Sequence, residues 1–196
     1  MTAARTARDE DGTPAGVAVL VVCTANICRS PVGERLLAAR LAGAGVTVGS
    51  AGTRALTGAA IDPPMAALLG PAGARADGFA ARQLRPELVR DAALVLAMSR
   101  EHRAAAVSTL PAAVRRTFLL ADAADLAEAV AASGWPAQVA PTPAARLAAL
   151  PSLAAPHRPA ARGVEVPDPY RRPAAEYREC FAVVEDAVDR LVRALG

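Results

Sequence analysis

The chain, 196 residues long, predicts an α/β domain built on a parallel sheet. Three observations carry that expectation. Two continuous apolar runs, Val17–Val22 and Ala93–Met98, lack the in–out alternation of a half-exposed strand and read as strands covered on both faces. Helical patterns bounded by capping residues, prolines and glycines lie between such runs. Strands that alternate with helices build parallel sheets, because each return crossing needs a helix to carry the chain back.

The elements follow in order. Residues 1–16 are polar and charged and read as a disordered arm ahead of one domain over 17–196. After the first strand, Val17–Val22, Ser30 is expected as a helix N-cap with Pro31 at the first helical position. That helix is predicted to about Ala42, with Val32, Leu36, Leu37 and Leu41 on one side and Gly43 and Gly45 ending it. Val46–Val48 is a second strand, followed by the turn-prone Ser50-Ala51-Gly52-Thr53. Asp62 is expected to cap a helix running through Leu69. Ala93–Met98 is the third strand, and Ser99 caps the helix after it. Arg116–Leu120 is a short fourth strand, and Asp122 opens a further helix.

From about 131 to 165 the chain turns Ala- and Pro-rich, with seven of its 16 prolines in 136–167. A surface insertion without a catalytic role is expected there, with Ala144–Leu150 able to form a short helix; a substrate lid is the alternative. The last segment is a helix whose Tyr177, Phe181, Val184, Val188, Leu191 and Leu195 recur at steps of four and three. A helix packed on its own sheet is expected rather than a coiled-coil seam, since about three heptads barely suffice for the latter.

Composition narrows the function. Apolar residues make up 53% of the chain but aromatics only 3%, so the core must be mostly Ala, Val and Leu. No apolar run approaches the roughly 18 residues of a spanning helix, and the first run is too short for a signal-peptide core. A cytoplasmic protein without membrane contact is expected. All 22 basic residues other than histidine are Arg, and the net charge is +3. The arginines are dispersed among acids, with Arg115-Arg116 and Arg171-Arg172 the only pairs, which argues against a nucleic-acid partner. Three cysteines, Cys23, Cys28 and Cys180, argue for reduced thiols rather than a disulfide framework.

The chemistry concentrates in Cys23-Thr24-Ala25-Asn26-Ile27-Cys28-Arg29-Ser30-Pro31, between the first strand and the first helix. A tight loop leaving a strand for a helix N-terminus turns backbone N–H groups inward as an anion nest. Arg29 can fork two N–H donors onto phosphate oxygens. A thiol at the strand end, here Cys23, is a nucleophile once ionised, and the cations and dipoles that bind phosphate are those that favour a thiolate. Ser30 is placed to donate its hydroxyl to that thiolate. Asn26 tolerates left-handed dihedrals and can tie the loop with side-chain hydrogen bonds.

The Cys-x5-Arg spacing alone is weak, but the full string with strand before and helix after is specific. It resembles the phosphate loop of the low-molecular-weight protein tyrosine phosphatases. Ser50-Ala51-Gly52-Thr53 is similar to that family's second characteristic turn, Ala81-Arg82-Gln83-Leu84 to a third, and Ala92–His102 to its third strand and following turn. Asp168-Pro169-Tyr170 is similar to its acid loop. The resemblance covers most of 17–122 and 166–195. It implies a flavodoxin-like three-layer fold with a four-stranded parallel sheet flanked by helices. It also implies a phosphocysteine intermediate on Cys23, oxyanion binding by Arg29, and proton transfer by Asp168 to the leaving phenolate and then from water. The loop residues Thr24, Ala25, Asn26, Ile27, Cys28 and Ser30 would hold the phosphate with support from Ser50, and Leu56 and Tyr170 would line the mouth. Neither cofactor nor metal is implied. The implied substrate is a phosphotyrosine protein or a small aryl phosphate, and a monomer or weak homodimer is expected.

The residues themselves say less about Asp168. Phenolate is a poor leaving group because phenol ionises only near pH ~10, so acid help matters. The prolines on either side of Asp168 stiffen it, yet an Asp between prolines also suits an ordinary turn. Three positions depart from the family pattern: Phe79 where a His is common, Leu56 in place of a wall aromatic, and Arg171 in place of a second aromatic after Tyr170. Without that His, Asn26 is expected to take another partner, Ser50. Cys28 fits a small buried hydrophobe or a reversible disulfide partner of Cys23. Cys180 reads as core and His102 as surface or structural. Two rival functions are a phosphate-binding module without turnover and arsenate reduction on the same fold; the latter lacks the paired mid-chain cysteines its thioredoxin-coupled form needs.

Overall fold

A computed structural model describes residues 17–196; the arm expected over 1–16 lies outside the described residues. Strand β1 (Val17–Cys23) pairs on one side with β2 (Val46–Gly52) and on the other with β3 (Leu94–Ala97), and β4 (Thr117–Leu119) follows β3. All pairings are parallel, in the order β2-β1-β3-β4. Helices α1 (Arg29–Arg40), α2 (Pro63–Leu69), α3 (Pro86–Asp91), α4 (Arg100–Thr109), α5 (Leu120–Ser133), α6 (Pro143–Leu153) and α7 (Ala174–Leu195) complete the chain.

Strand periodicity divides the core into two. Val19, Val21 and Cys23 face one side of the sheet, where α1, α2, α5, α6 and α7 pack. Leu20 and Val22 face the other, against Val89 of α3, Ala106 of α4 and Ala113 of the 3-10 turn Pro111–Arg116. This is the three-layer α/β architecture expected. Because the chain leaves β1 toward β2 on one side and later adds β3 on the other, the carboxyl end of β1 is the switch point where such folds bind ligands. The Cys23–Arg29 loop begins there.

Several elements differ from expectation. Helix α1 starts at Arg29, with Cys28 ahead of it and no side-chain cap, so Ser30 and Pro31 lie inside its first turn. Ser30 does not cap because its hydroxyl is held by Cys23 and Asn26. Strand β2 runs through Ser50-Ala51-Gly52 instead of turning, because these residues pair with Val21–Cys23, and Gly52 also bonds to Arg82 and Leu84. Asp62 precedes α2 without capping it; its carboxylate serves Tyr177 and Cys28 instead. Helix α5 opens at Leu120, two residues ahead of Asp122, which accepts the N–H of Gly163.

The Ala/Pro-rich stretch departs most from a surface insertion. Leu147 and Leu150 of α6 are fully buried and Ala154 nearly so. Trp135 donates its indole N–H to the Ala194 carbonyl, Arg146 donates to the Leu195 carbonyl, and the Arg146 guanidinium lies over the Trp135 ring. The small side chains that made the stretch look like a linker let it pack closely on α5 and α7. Its far end is pinned as well. Arg162 pairs with Asp125, Arg100 with Glu165, and Val166 N–H bonds to the Met98 carbonyl at 2.9 Å. These ties deliver Asp168 to the end of the sheet.

The α7 stripe, Tyr177 through Leu195, is buried against the domain itself, and no helix among the described residues is long and apolar enough to cross a membrane.

Candidate active site

Thr24–Cys28 fill the whole passage from β1 to α1, and their carbonyls are held from behind. Thr53, Arg54 and Leu56 donate N–H groups to the carbonyls of Cys23, Thr24 and Ala25 at 2.9, 2.9 and 3.0 Å, and Asp62 donates to Ile27 at 2.8 Å. Among the described residues the N–H groups of Thr24–Cys28 have no backbone acceptor, which leaves them for an anion. The fit is close: a Cβ at Gly52 would collide with the Thr24 carbonyl oxygen, so only glycine serves there. Gln83 braces the adjoining turn, accepting from Ala55 N–H and donating to the Thr53 carbonyl.

Asn26 is the buried knot of the loop and takes the left-handed φ of 57° anticipated for it. Its amide donates to Ser30 Oγ at 2.9 Å and Ser50 Oγ at 2.7 Å, and its Oδ1 accepts the Arg82 N–H at 2.9 Å. Ser50 donates its own hydroxyl hydrogen bond to Glu34 Oε2 at 2.6 Å. Ser30 Oγ accepts from Asn26, so its hydroxyl proton is free for Cys23 Sγ, 2.9 Å away. Phe79 sits half-buried under the Arg35 guanidinium, and Ser50 is the partner Asn26 finds.

Arg29 is buried, with Nη2 2.5 Å from Asp168 Oδ2 and 3.5 Å from Thr24 Oγ1. Asp168 Oδ1 accepts the Tyr170 N–H at 3.2 Å, a local turn that orients the carboxyl. Residues 139 apart in sequence thus meet in one pocket of about 370 Å³. Cys23, Thr24, Ala25, Ile27, Cys28 and Arg29 line it, with Leu56, Asp168, Tyr170 and Arg171 at its walls. Asn26, Ser30 and Ser50 stand behind it. Leu56 and Tyr170 are exposed, and the Arg171 guanidinium stacks 5.2 Å from the Tyr170 ring centroid.

The described cysteines are free thiols and buried. Burial, then the Asp62 carboxylate, pushes the Cys28 thiol well above its usual range, so it stays a donor, 3.7 Å from Asp62 Oδ2. Burial likewise pushes Cys180 up to about 12, consistent with a core role.

His102 is not a surface residue. It is 2% exposed and bridges Thr24 Oγ1 and Ser99 Oγ, each at 2.8 Å from a ring nitrogen. Burial, then the charge of Arg29, lowers it to about 4, so the ring is neutral at pH 7.

The family model described as low molecular weight phosphotyrosine protein phosphatase matches residues 18–130, more than half of the chain. The chain belongs to the low molecular weight protein-tyrosine-phosphatase family. The Etp enzyme of Escherichia coli K12 is 44% identical over 101 residues, which cover 52% of this chain and 67% of Etp. AmsI of Erwinia amylovora is 39% identical over 84 residues, covering 43% of this chain and 57% of AmsI. The AmsI crystal structure superposes with a TM-score of 0.66 at 26% identity, over 93% of this chain and 95% of AmsI. The arginine phosphatase YwlE of Geobacillus stearothermophilus gives 0.66 at 27%, over 90% and 91%.

Family membership makes the chain a phosphatase that acts on phosphorylated proteins or small phosphate esters. The family model ends at residue 130, ahead of Asp168 and α7, whereas the structural likeness extends over both. The Ala/Pro-rich segment separates the two parts. Sequence reasoning missed Glu34, His102, and the Asp62–Tyr177 pair. His102, three residues after a capping serine and facing inward on α4, was a signal that could have been read; nothing in the local pattern pointed to Glu34 or to a pair 115 residues apart.

Proposed function

We propose that the chain hydrolyses aryl phosphate monoesters, phosphotyrosine first among them, with Cys23 as nucleophile, Arg29 as oxyanion binder and Asp168 as proton donor. The observation that carries this reading is the meeting of Cys23, Arg29 and Asp168 in one pocket behind an anion nest. The Cys23 thiolate attacks phosphorus as the P–O bond to the aryl group breaks, and Asp168 gives its proton to the departing phenolate. Water then attacks the phosphocysteine, Asp168 takes its proton, and the P–S bond breaks. Ser30 O–H stabilises the sulfur that leaves, while the Asn26 amide holds the Ser30 oxygen in place. Arg29 holds the equatorial oxygens throughout, and exchanges Asp168 for phosphate as the substrate enters. The apolar Ile27 and Leu56 and the ring of Tyr170 suit an aryl group. We place the activity in the cytoplasm.

Turnover of para-nitrophenyl phosphate and of phosphotyrosine peptides by the wild type, abolished in Cys23→Ser at unchanged melting temperature, is the expected result. Wild-type turnover no greater than that of Cys23→Ser overturns catalysis and leaves a phosphate-binding module. Faster turnover of phosphoarginine than phosphotyrosine peptides overturns the substrate class.

A further inference from the structure

The chemistry above needs Asp168 to keep its place, and its own restraints are few. The carboxyl is half exposed and is held by the Arg29 pair and the Tyr170 N–H. Three residues later the backbone of Arg171 turns left-handed, with φ at 61°. Among the described residues only Asn26, in the phosphate loop, is another non-glycine residue with positive φ. Arginine adopts this conformation against strain and keeps it only where the surroundings impose it.

A turn closed by the Arg172 N–H on the Pro169 carbonyl at 2.9 Å puts Arg171 at its third position, and Tyr177 of α7 ties that turn to the domain. The Arg171 N–H donates to the Tyr177 hydroxyl oxygen at 3.3 Å, and the hydroxyl donates to Asp62 Oδ2 at 2.6 Å. The same Asp62 oxygen receives the Cys28 thiol, and the Asp62 N–H holds the Ile27 carbonyl at 2.8 Å. One phenol and one carboxylate therefore connect the acid loop to the phosphate loop. Burial, and then the bond to Asp62, pushes the Tyr177 phenol up to about 12, so it remains an O–H donor across the working range of the enzyme. The ring is 6% exposed and belongs to the core stripe of α7. Packing alone would be served equally by phenylalanine; the hydroxyl serves the loop.

We propose that Tyr177, anchored on Asp62, is a positioning residue for the general acid, holding Arg171 in the left-handed turn that keeps Asp168 in the pocket. The inference rests on the acid role of Asp168 proposed above.

The test is a series of aryl phosphates whose leaving phenols range from strongly acidic to the pKa of about 10 of phenol itself. Tyr177→Phe should lower kcat/KM about tenfold for phenyl phosphate, a part of the roughly 10²- to 10⁴-fold that a general acid supplies. It should leave 2,4-dinitrophenyl phosphate within about twofold, because a good leaving group needs no acid. Asp62→Asn, which keeps an acceptor for the phenol but not its charge, should steepen the leaving-group dependence in the same sense and by less. A purely structural tyrosine would instead lower all substrates alike. Equal losses across the series, or a Tyr177→Phe slope equal to the wild type's, overturn the positioning role. Asp168→Ala serves as the separating control: if it shows no leaving-group dependence, the acid assignment fails rather than this inference.

Discussion

Replacing Asp168 with asparagine should move two measurements in opposite directions. The carboxylate lies 2.5 Å from the guanidinium that the phosphate needs, so the two anions compete for Arg29. Unit charges about 4 Å apart attract by roughly 1 kcal/mol in water and by about 4 kcal/mol at an effective dielectric near 20. Arg29 has a side chain only 8% exposed, but that of Asp168 is 52% exposed, which places the pair near the solvent-screened end of the range. About 1 kcal/mol is therefore the part of the phosphate's binding energy that Asp168 cancels, or about fivefold in affinity. Repulsion between the carboxylate and the dianion has the same sign and makes this a lower bound. Titration calorimetry with inorganic phosphate at pH 7 should thus show Asp168→Asn binding at least about fivefold more tightly than the wild type, by a margin that shrinks as salt rises. Turnover of phenyl phosphate should meanwhile fall by about 10²- to 10⁴-fold. Phosphate affinity that stays level or weakens in the variant would show that Asp168 does not compete for Arg29, and the exchange step proposed for substrate entry would go with it.

Two further outcomes test the scaffold around this site. Burial lowers His102 from the ordinary 6.5 to about 4, so between those values the unfolded chain binds a proton that the folded chain refuses. Stability from this group is complete above about pH 6.5 and is lost as pH falls toward 4, by roughly 3 kcal/mol. Urea unfolding at pH 7 and 4.5 should show a smaller pH-dependent loss in His102→Gln than in the wild type; identical losses would refute the assignment. Leu150→Ala should cost about 3 kcal/mol of stability by urea unfolding, as core truncations do, with kcat/KM within twofold. A cost under about 1 kcal/mol would return α6 to the status of a surface appendage.

The fold was legible where one physical signal dominated. Unbroken apolar runs announced β1 and β3, and the four-and-three stripe from Tyr177 to Leu195 announced α7. Local signals failed where distant partners overrode them. Ser50-Ala51-Gly52 has turn composition, yet β1 on one side and Arg82 and Leu84 on the other make it strand. Ser30 and Asp62 have the right side chains for N-caps but are committed to Cys23 and Asn26, and to Tyr177 and Cys28. Alanine and proline between α5 and the acid loop suggested a linker; the burial of Leu147 and Leu150 was invisible because no local pattern says which surface a short helix will meet. In the candidate site, the Cys23–Pro31 loop stood out because its nine residues are contiguous. The Asn26–Ser50 bond could be anticipated from the absence of a histidine at Phe79. Glu34, His102 and Tyr177 act across the fold, and pairings of that kind leave no mark on the neighbouring sequence.

The bonds that hold the phosphate loop from behind have one more consequence. Leu56 enters that ladder through its backbone, donating to the Ala25 carbonyl, while its side chain stands exposed at the mouth of the pocket. The two halves of one residue therefore answer to different demands. Its amide helps set the polarity of the nest, a task any residue but proline can perform. Its side chain meets whatever the phosphate is attached to. Substrate range can thus drift at this position, in evolution or by design, without disturbing the machinery beneath.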